Sequence, residues 1–197
     1  MAKRRGTKAL PGGSGKVRII AGQWRRRQLA VMPFPGLRPT PDRVRETLFN
    51  WLAADLPGAA CLDLFAGTGA LGFEAASRGA QNVLMVERDA SVAEHLRTQI
   101  RALDAQTMQV VCADATQWVV NPPGCFELVF VDPPYGRVDL PLLLAAMRTH
   151  GCVNMASKVY VETAADNEQP VFPENWRVLR DKRAGGVRYY LASPEFV

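Results

Sequence analysis

Two short stretches carry residue types in spacings that chemistry can use. The first is Asp63-Leu64-Phe65-Ala66-Gly67-Thr68-Gly69-Ala70-Leu71-Gly72, in which Gly67, Gly69 and Gly72 satisfy GxGxxG and Glu87 lies 20 residues beyond Gly67. Glycines at that spacing let a ligand approach the backbone, and a carboxylate at that distance takes ribose hydroxyls, so the pattern fits an adenosine cofactor. Taken alone it fits NAD and S-adenosylmethionine equally. The second is Asp132-Pro133-Pro134-Tyr135, which follows the apolar run Phe126 to Val131. Proline removes backbone donors, so the carbonyls of such a lip face outward as acceptors. A planar amino group fits there, held by the Asp132 carboxylate and a carbonyl while Tyr135 stacks on its ring.

Three features favour the sulfonium cofactor. Asp63 stands four residues before Gly67, where it would repel a pyrophosphate and attract an ammonium or sulfonium. Asp114 follows a third strand, where it can accept from an adenine amine. The chain also leaves no room for the separate catalytic domain of most dehydrogenases. Asp63, Glu87, Asp114 and Asp132 each close a strand, and ligands of open α/β sheets bind at that edge.

The elements that must position these residues can be read from periodicity. Val17 to Ala21 and Leu29 to Met32 form two short strands around Gln23-Trp24-Arg25-Arg26-Arg27, an Arg-rich hairpin. Thr40 serves as N-cap of a helix with Pro41 in its first turn and Val44, Leu48, Trp51 and Leu52 on its apolar face. From residue 60 strands and helices alternate. Strands are expected at Ala60–Phe65, Val83–Val86, Met108–Cys112, Phe126–Val131 and Val159–Val161. Between them lie a helix from Gly69 to Gly79 and one capped by Asp89 or Ser91 with Val92, Leu96, Ile100 and Leu103 buried. A further helix is marked by Leu140, Leu143, Leu144 and Met147. Trp176–Arg180 and Val187–Ala192 close the chain as a hairpin around Gly185-Gly186. Such alternation means an α/β fold with a parallel sheet covered on both faces.

Composition narrows the classes. The chain has 197 residues, 48% apolar and 22% charged, enough to bury a core and unlike a disordered chain. No apolar run approaches the roughly 18 residues of a spanning helix. Met1 to Lys16 has no apolar stretch of the secretory kind, which points to the cytoplasm. Cys61, Cys112, Cys125 and Cys152 form no CxxC pair and read as reduced core thiols. With only His95 and His150, neither a zinc site nor a His-dependent hydrolase is expected, and no metal is called for. Charge is divided unevenly. Residues 1–45 hold 12 of the 24 Lys and Arg against one acid, Asp42, whereas residues 46–197 hold 12 against 18 acids. A basic front on an acidic body suits a polyanion.

The residues as a set resemble a known family. Asp132 to Tyr135 matches the (Asp/Asn)-Pro-Pro-aromatic motif of amino-group methyltransferases, and Asp63 to Gly69 looks like their cofactor loop. Arg38-Pro39-Thr40-Pro41-Asp42-Arg43-Val44-Arg45-Glu46-Thr47-Leu48-Phe49-Asn50-Trp51 resembles the helix entry of the bacterial RsmD-type 16S rRNA guanine-N2 methyltransferases. The likeness runs from Val17 to Ala192. It implies the Rossmann-like seven-stranded methyltransferase sheet with a reversed last strand, S-adenosylmethionine as donor, S-adenosylhomocysteine as product and a 16S rRNA guanine as acceptor. In that family's pattern Asp63, Phe65, Ala66, Gly67, Thr68, Gly69, Glu87, Arg88, Asp114, Ala115 and Asp132 would border the cofactor. Asp132, Pro133, Pro134 and Tyr135 would be catalytic. On the basic front, Arg25, Arg26, Arg27, Arg38, Arg43 and Arg45 are the candidates to hold RNA phosphates.

The expected organisation is a basic arm over residues 1–14, a basic extension over 15–55 and a methyltransferase core over 56–197. A monomer acting on an assembled or assembling small ribosomal subunit is expected, with no membrane. Three rivals remain at this point: a DNA adenine-N6 or cytosine-N4 methyltransferase, a non-catalytic RNA-binding assembly factor, and an NAD dehydrogenase.

Overall fold

The computed structural model describes residues 15–33, 40–165 and 172–195. Residues 1–14 and Arg38 lie outside that range. Two strands, β1 (Lys16–Arg18) and β2 (Gln28–Ala30), pair antiparallel ahead of helix α1 (Asp42–Trp51). The core then runs β3 (Ala60–Asp63), α2 (Ala70–Ser77), β4 (Asn82–Glu87), α3 (Ala90–Ala102), β5 (Met108–Cys112), α4 (Ala115–Trp118), β6 (Leu128–Val131), α5 (Leu140–Thr149), β7 (Lys158–Ala164), β8 (Trp176–Ala184) and β9 (Val187–Pro194).

These core strands form one sheet in the order β5-β4-β3-β6-β7-β9-β8, and only the last strand, β9, runs against the rest. The α/β, mostly parallel seven-stranded architecture with a small N-terminal hairpin is therefore present. All four residues of β6 are buried, as a strand covered on both faces requires. Phe49, Phe73, Leu96, Phe130 and Tyr160 share the core on the face covered by α1, α2 and α3. Val129, Val131, Val119 and Leu144 share the other, under α4 and α5. The chain reverses its winding between β3 and β6, which are neighbours in the sheet though β4 and β5 intervene in sequence. Ligands of doubly wound sheets bind in the crevice at such a switch.

Several expectations change in detail. Thr40 does not cap α1; Pro41 holds the N-cap position without a side-chain hydrogen bond, and the Thr40 hydroxyl turns to Asp132 instead. Asp89, rather than Ser91, caps α3, accepting from Ser91 N and Val92 N. Cys61 and Cys152 are buried, but Cys112 and Cys125 are exposed, so only half of the thiols are core residues.

The N-terminal hairpin is clamped to α2 by polar contacts. Glu74, buried on α2, accepts from Ile20 N at 2.7 Å and Ala21 N at 3.0 Å. Ser77 donates from its hydroxyl to the Ala21 carbonyl and accepts from Trp24 N. Gly22, with φ +82°, lies so close that a β-carbon there would stand 1.7 Å from the Ser77 carbonyl oxygen. Only glycine fits this approach.

Candidate active site

Helix α2 begins at the end of β3 through a turn in which Gly67 and Gly69 have φ of 49° and 75°. Glycine adopts that left-handed backbone without penalty. A β-carbon on Gly69 would also stand 2.7 Å from Leu96 Cδ2, so this glycine sets the packing of α2 on α3. Backbone amides of the turn meet the acids at the strand ends. Asp63 Oδ2 accepts from Gly72 N at 2.9 Å. Glu87, ending β4, accepts from Gly67 N at 2.9 Å through Oε2 and from Asp89 N at 2.8 Å through Oε1. Asp114 caps α4, accepting from Thr116 N and the Thr116 hydroxyl, which hold its carboxyl below the usual range.

Across the switch point the acids contact other side chains. Asp132 follows β6, and its Oδ2 accepts from the Thr40 hydroxyl at 3.3 Å. Glu162 on β7 accepts from Tyr135 at 2.9 Å through Oε1 and from Tyr160 at 2.6 Å through Oε2. Burial, then the neighbouring Glu162 and Asp63 carboxylates, push the Asp132 carboxyl well above its ordinary range. Burial pushes Glu162 up as well. Asp63 is raised to about 7, by burial first and Glu87 among the lesser causes. A cluster of buried and half-buried acids at the rim of a sheet favours a cationic guest, whose charge would draw these groups back to the ionised form.

One cleft of about 620 Å³ joins the two halves. Its lining includes Asp63, Phe65, Ala66, Gly67, Thr68, Glu87, Arg88, Asp114, Ala115, Asp132, Pro133, Pro134 and Tyr135. Of the cofactor and catalytic residues named from sequence, Gly69 alone is absent from that lining. Thr40, Arg137, Glu162, Gly186 and Val187 also line it, though the sequence assigns none of them to the site. Glu162 had a legible sign: it is the lone acid directly after the apolar run Val159 to Val161. Thr40 and the β8–β9 tip reach the cleft through long-range folding and carry no local sign.

Similarity to known proteins follows the same outline. The family model described as "Conserved hypothetical protein 95" matches residues 17–193. The chain is 44% identical over 183 residues to "Ribosomal RNA small subunit methyltransferase D" of Escherichia coli strain K12, covering 93% of this chain and 92% of that protein. The chain belongs to this family. The protein of the same name from Haemophilus influenzae is 40% identical over 185 residues, 92% of this chain and 95% of the other. A solved structure described as a putative methyltransferase, yhhF, from Escherichia coli superposes with a TM-score of 0.84 at 42% identity, covering 92% and 99% of the two chains.

The basic front of this family member divides in two. Arg25, Arg26 and Arg27 are exposed on the loop between β1 and β2, and Arg43 is exposed on α1. Arg45 departs from the expected role of phosphate contact, because it is 1% exposed. Its Nη2 donates to the Arg18 carbonyl at 2.9 Å and pairs with Asp42 at 2.6 Å, while Nη1 lies 3.6 Å from buried Glu74. A guanidinium neutralised internally by two carboxylates has no face to offer an RNA.

Proposed function

We propose that the protein transfers a methyl group from S-adenosylmethionine to the exocyclic N2 amine of a guanine in 16S rRNA. The observation that carries this is the shared cleft: the Asp132-Pro133-Pro134-Tyr135 lip opens into the same space as the Gly67 turn and Glu87. The names of the relatives supply the small-subunit rRNA. The acidic, adenosine-sized cleft supports the donor.

The residues present fit that donor. Glu87, already oriented by Gly67 N and Asp89 N, would take the ribose hydroxyls, and Asp114 and Ala115 would border the adenine. Asp63 and Asp132 would face the cationic end, where their high proton affinity marks unspent negative potential. Bound there, the donor supplies an electrophilic methyl.

Asp132 is the pivot of the chemistry. Thr40 engages its Oδ2, leaving Oδ1 for one N–H of the acceptor amine, and a lip carbonyl takes the other. Held so, the nitrogen lone pair points along the transfer axis, and such alignment lowers the barrier by several kcal/mol. As the nitrogen gains a methyl it must shed a proton, and Asp132, with its raised affinity, accepts it and passes it to water. No covalent enzyme intermediate is needed. Tyr135, half exposed at the mouth, would stack on the purine, which must leave its own stack to reach the lip. Arg25, Arg26, Arg27 and Arg43 on the extension would hold RNA phosphates around an assembled or assembling subunit in the cytoplasm.

The test is tritiated-methyl transfer to small subunits from cells lacking the enzyme, followed by mass spectrometry of the labelled nucleoside. N2-methylguanosine at one position is expected. Label on another atom, on DNA in preference to rRNA, or nowhere overturns the reading.

A further inference from the structure

We infer that Glu162 reads the acceptor base, its carboxylate accepting the ring N1–H beside the target amine and so selecting guanine. The inference rests on the function proposed above and deepens it. Three observations carry it.

The first is register. In the parallel pairing of β6 with β7, Phe130 lies opposite Tyr160 and Val131 opposite Val161. Asp132 and Glu162 are therefore the next residues on adjacent strands and stand at one level, Asp132 just past the end of β6 and Glu162 still within β7. Strand alternation places them on the same face as Phe130 and Tyr160, the face toward α1. Both line the cleft, side by side.

The second is the way Glu162 is held. It is 3% exposed, yet the groups that hold it are phenols, one on each carboxylate oxygen, and its charged neighbour is another acid. An ionised carboxylate has about four acceptor sites and no donor. Two sites are filled, so Glu162 retains capacity toward the cleft. If its task were only to tether Tyr135, a neutral amide would do so without a second buried charge beside Asp132.

The third is the match of the acid pair to one base. Two adjacent acceptors call for two adjacent donors. Guanine offers the N2 amine and N1–H next to each other. Adenine and cytosine also offer an exocyclic amine, but beside it stands a bare ring nitrogen whose lone pair would face a carboxylate. The Pro-Pro lip alone admits all three amines; Glu162 excludes two of them. Sites built on such a hydrogen bond reject an analogue lacking it far more strongly than apolar pockets do.

The decisive substrate is a small subunit reconstituted around rRNA with 2,6-diaminopurine in place of the target guanine. That base keeps the N2 amine but has a bare N1. The wild-type enzyme should methylate guanine at least about 100-fold more efficiently, in kcat/KM, than 2,6-diaminopurine. Glu162→Gln, whose amide can donate to a bare N1, should narrow that ratio to within about tenfold. The ratio does not depend on how much of the variant is folded, so a purely structural role for Glu162 would leave it unchanged. Glu162→Asp, which withdraws the carboxylate, is the second variant and should also narrow it. Near-equal wild-type rates on the two bases, or a ratio untouched in both variants, overturns the inference. A wild type inactive on the guanine particle instead sinks the parent reading.

Discussion

The two halves of the cleft are assembled by different kinds of bond. On the side proposed to hold the donor the acids are fixed mainly by backbone amides: Asp63 by Gly72 N, Glu87 by Gly67 N and Asp89 N, and Asp114 by Thr116 N with the Thr116 hydroxyl beside it. On the side proposed to hold the acceptor they are fixed by side chains: Asp132 by Thr40, and Glu162 by Tyr135 and Tyr160. Amides that belong to a helix start or a glycine turn cannot rotate away, so the donor half is preorganised by the fold. Hydroxyls turn, so the acceptor half can adapt when a base enters. Damage to the first should therefore show as lost affinity, and damage to the second as lost rate.

Asp132→Ala makes the largest break in that comparison. Without the carboxylate the amine is neither aligned nor deprotonated, and transfer should fall at least about a thousandfold. Cofactor affinity by calorimetry should fall by no more than about tenfold, because Asp132 is only one of the acids facing the cationic end and the amide-held acids are untouched. A parallel collapse of affinity and rate would show that the halves are one unit. Glu87→Ala is the mirror experiment. Losing charge-assisted bonds to a ribose should weaken cofactor binding by about 10- to 100-fold, while kcat at saturating cofactor stays within about threefold. Unchanged affinity would remove Glu87 from the ribose.

The same contrast decides how much was legible in sequence. The donor half is local: strand, glycine turn, helix and the next strand's terminal acid follow one another within 63 to 87, so spacing alone exposes it. The seven-stranded sheet with its reversed last strand is implied only by likeness to a family, and the strand order is visible only in the structure, since alternation of apolar runs gives a parallel sheet but no order. The acceptor half is legible only where it is contiguous, at Asp132 to Tyr135. Thr40 lies 92 residues from Asp132 in sequence, and Glu162 lies 27 from Tyr135, so their partnerships arise only on folding. Arg45 failed for a related reason. A cation among cations looks like surface until the buried Glu74, on a different helix, is seen to claim it.

Asp63 tests whether the donor half is finished before its ligand arrives. Its folded-state carboxyl, raised to about 7, titrates far above an exposed aspartate. A raised acid contributes stability that is fully present below the unfolded value near 4 and is lost as pH climbs toward 7, so Asp63→Asn should flatten the fall of the thermal midpoint across that window. A cationic ligand favours the ionised form and pulls this value down. Cofactor affinity should therefore rise several-fold between about pH 6 and 7.5, with proton release in calorimetry, and Asp63→Asn should remove that dependence. A pH-independent affinity in the wild type would mean that another charge already compensates Asp63.

The smallest effect separates the exposed arginines from the internal one. Charges on the 25–27 loop are positioned by backbone bonds, Arg26 N to the Ile19 carbonyl and Arg27 N to the Trp24 carbonyl, and by the clamp on α2. Cations that meet phosphates from such a platform release counterions, and removing one of them flattens the dependence of log affinity on log salt by about one unit. Replacing Arg25, Arg26 and Arg27 together by glutamate should lower the slope for small-subunit binding by about two to three units, with cofactor affinity unchanged. Arg45→Gln should instead lower the melting temperature and leave the slope alone, because its guanidinium is buried among Asp42, Glu74 and the Arg18 carbonyl. If the loop variant keeps the wild-type slope, the loop holds no phosphate, and the acceptor must be gripped by the exposed cations that border the cleft itself, Arg137 foremost.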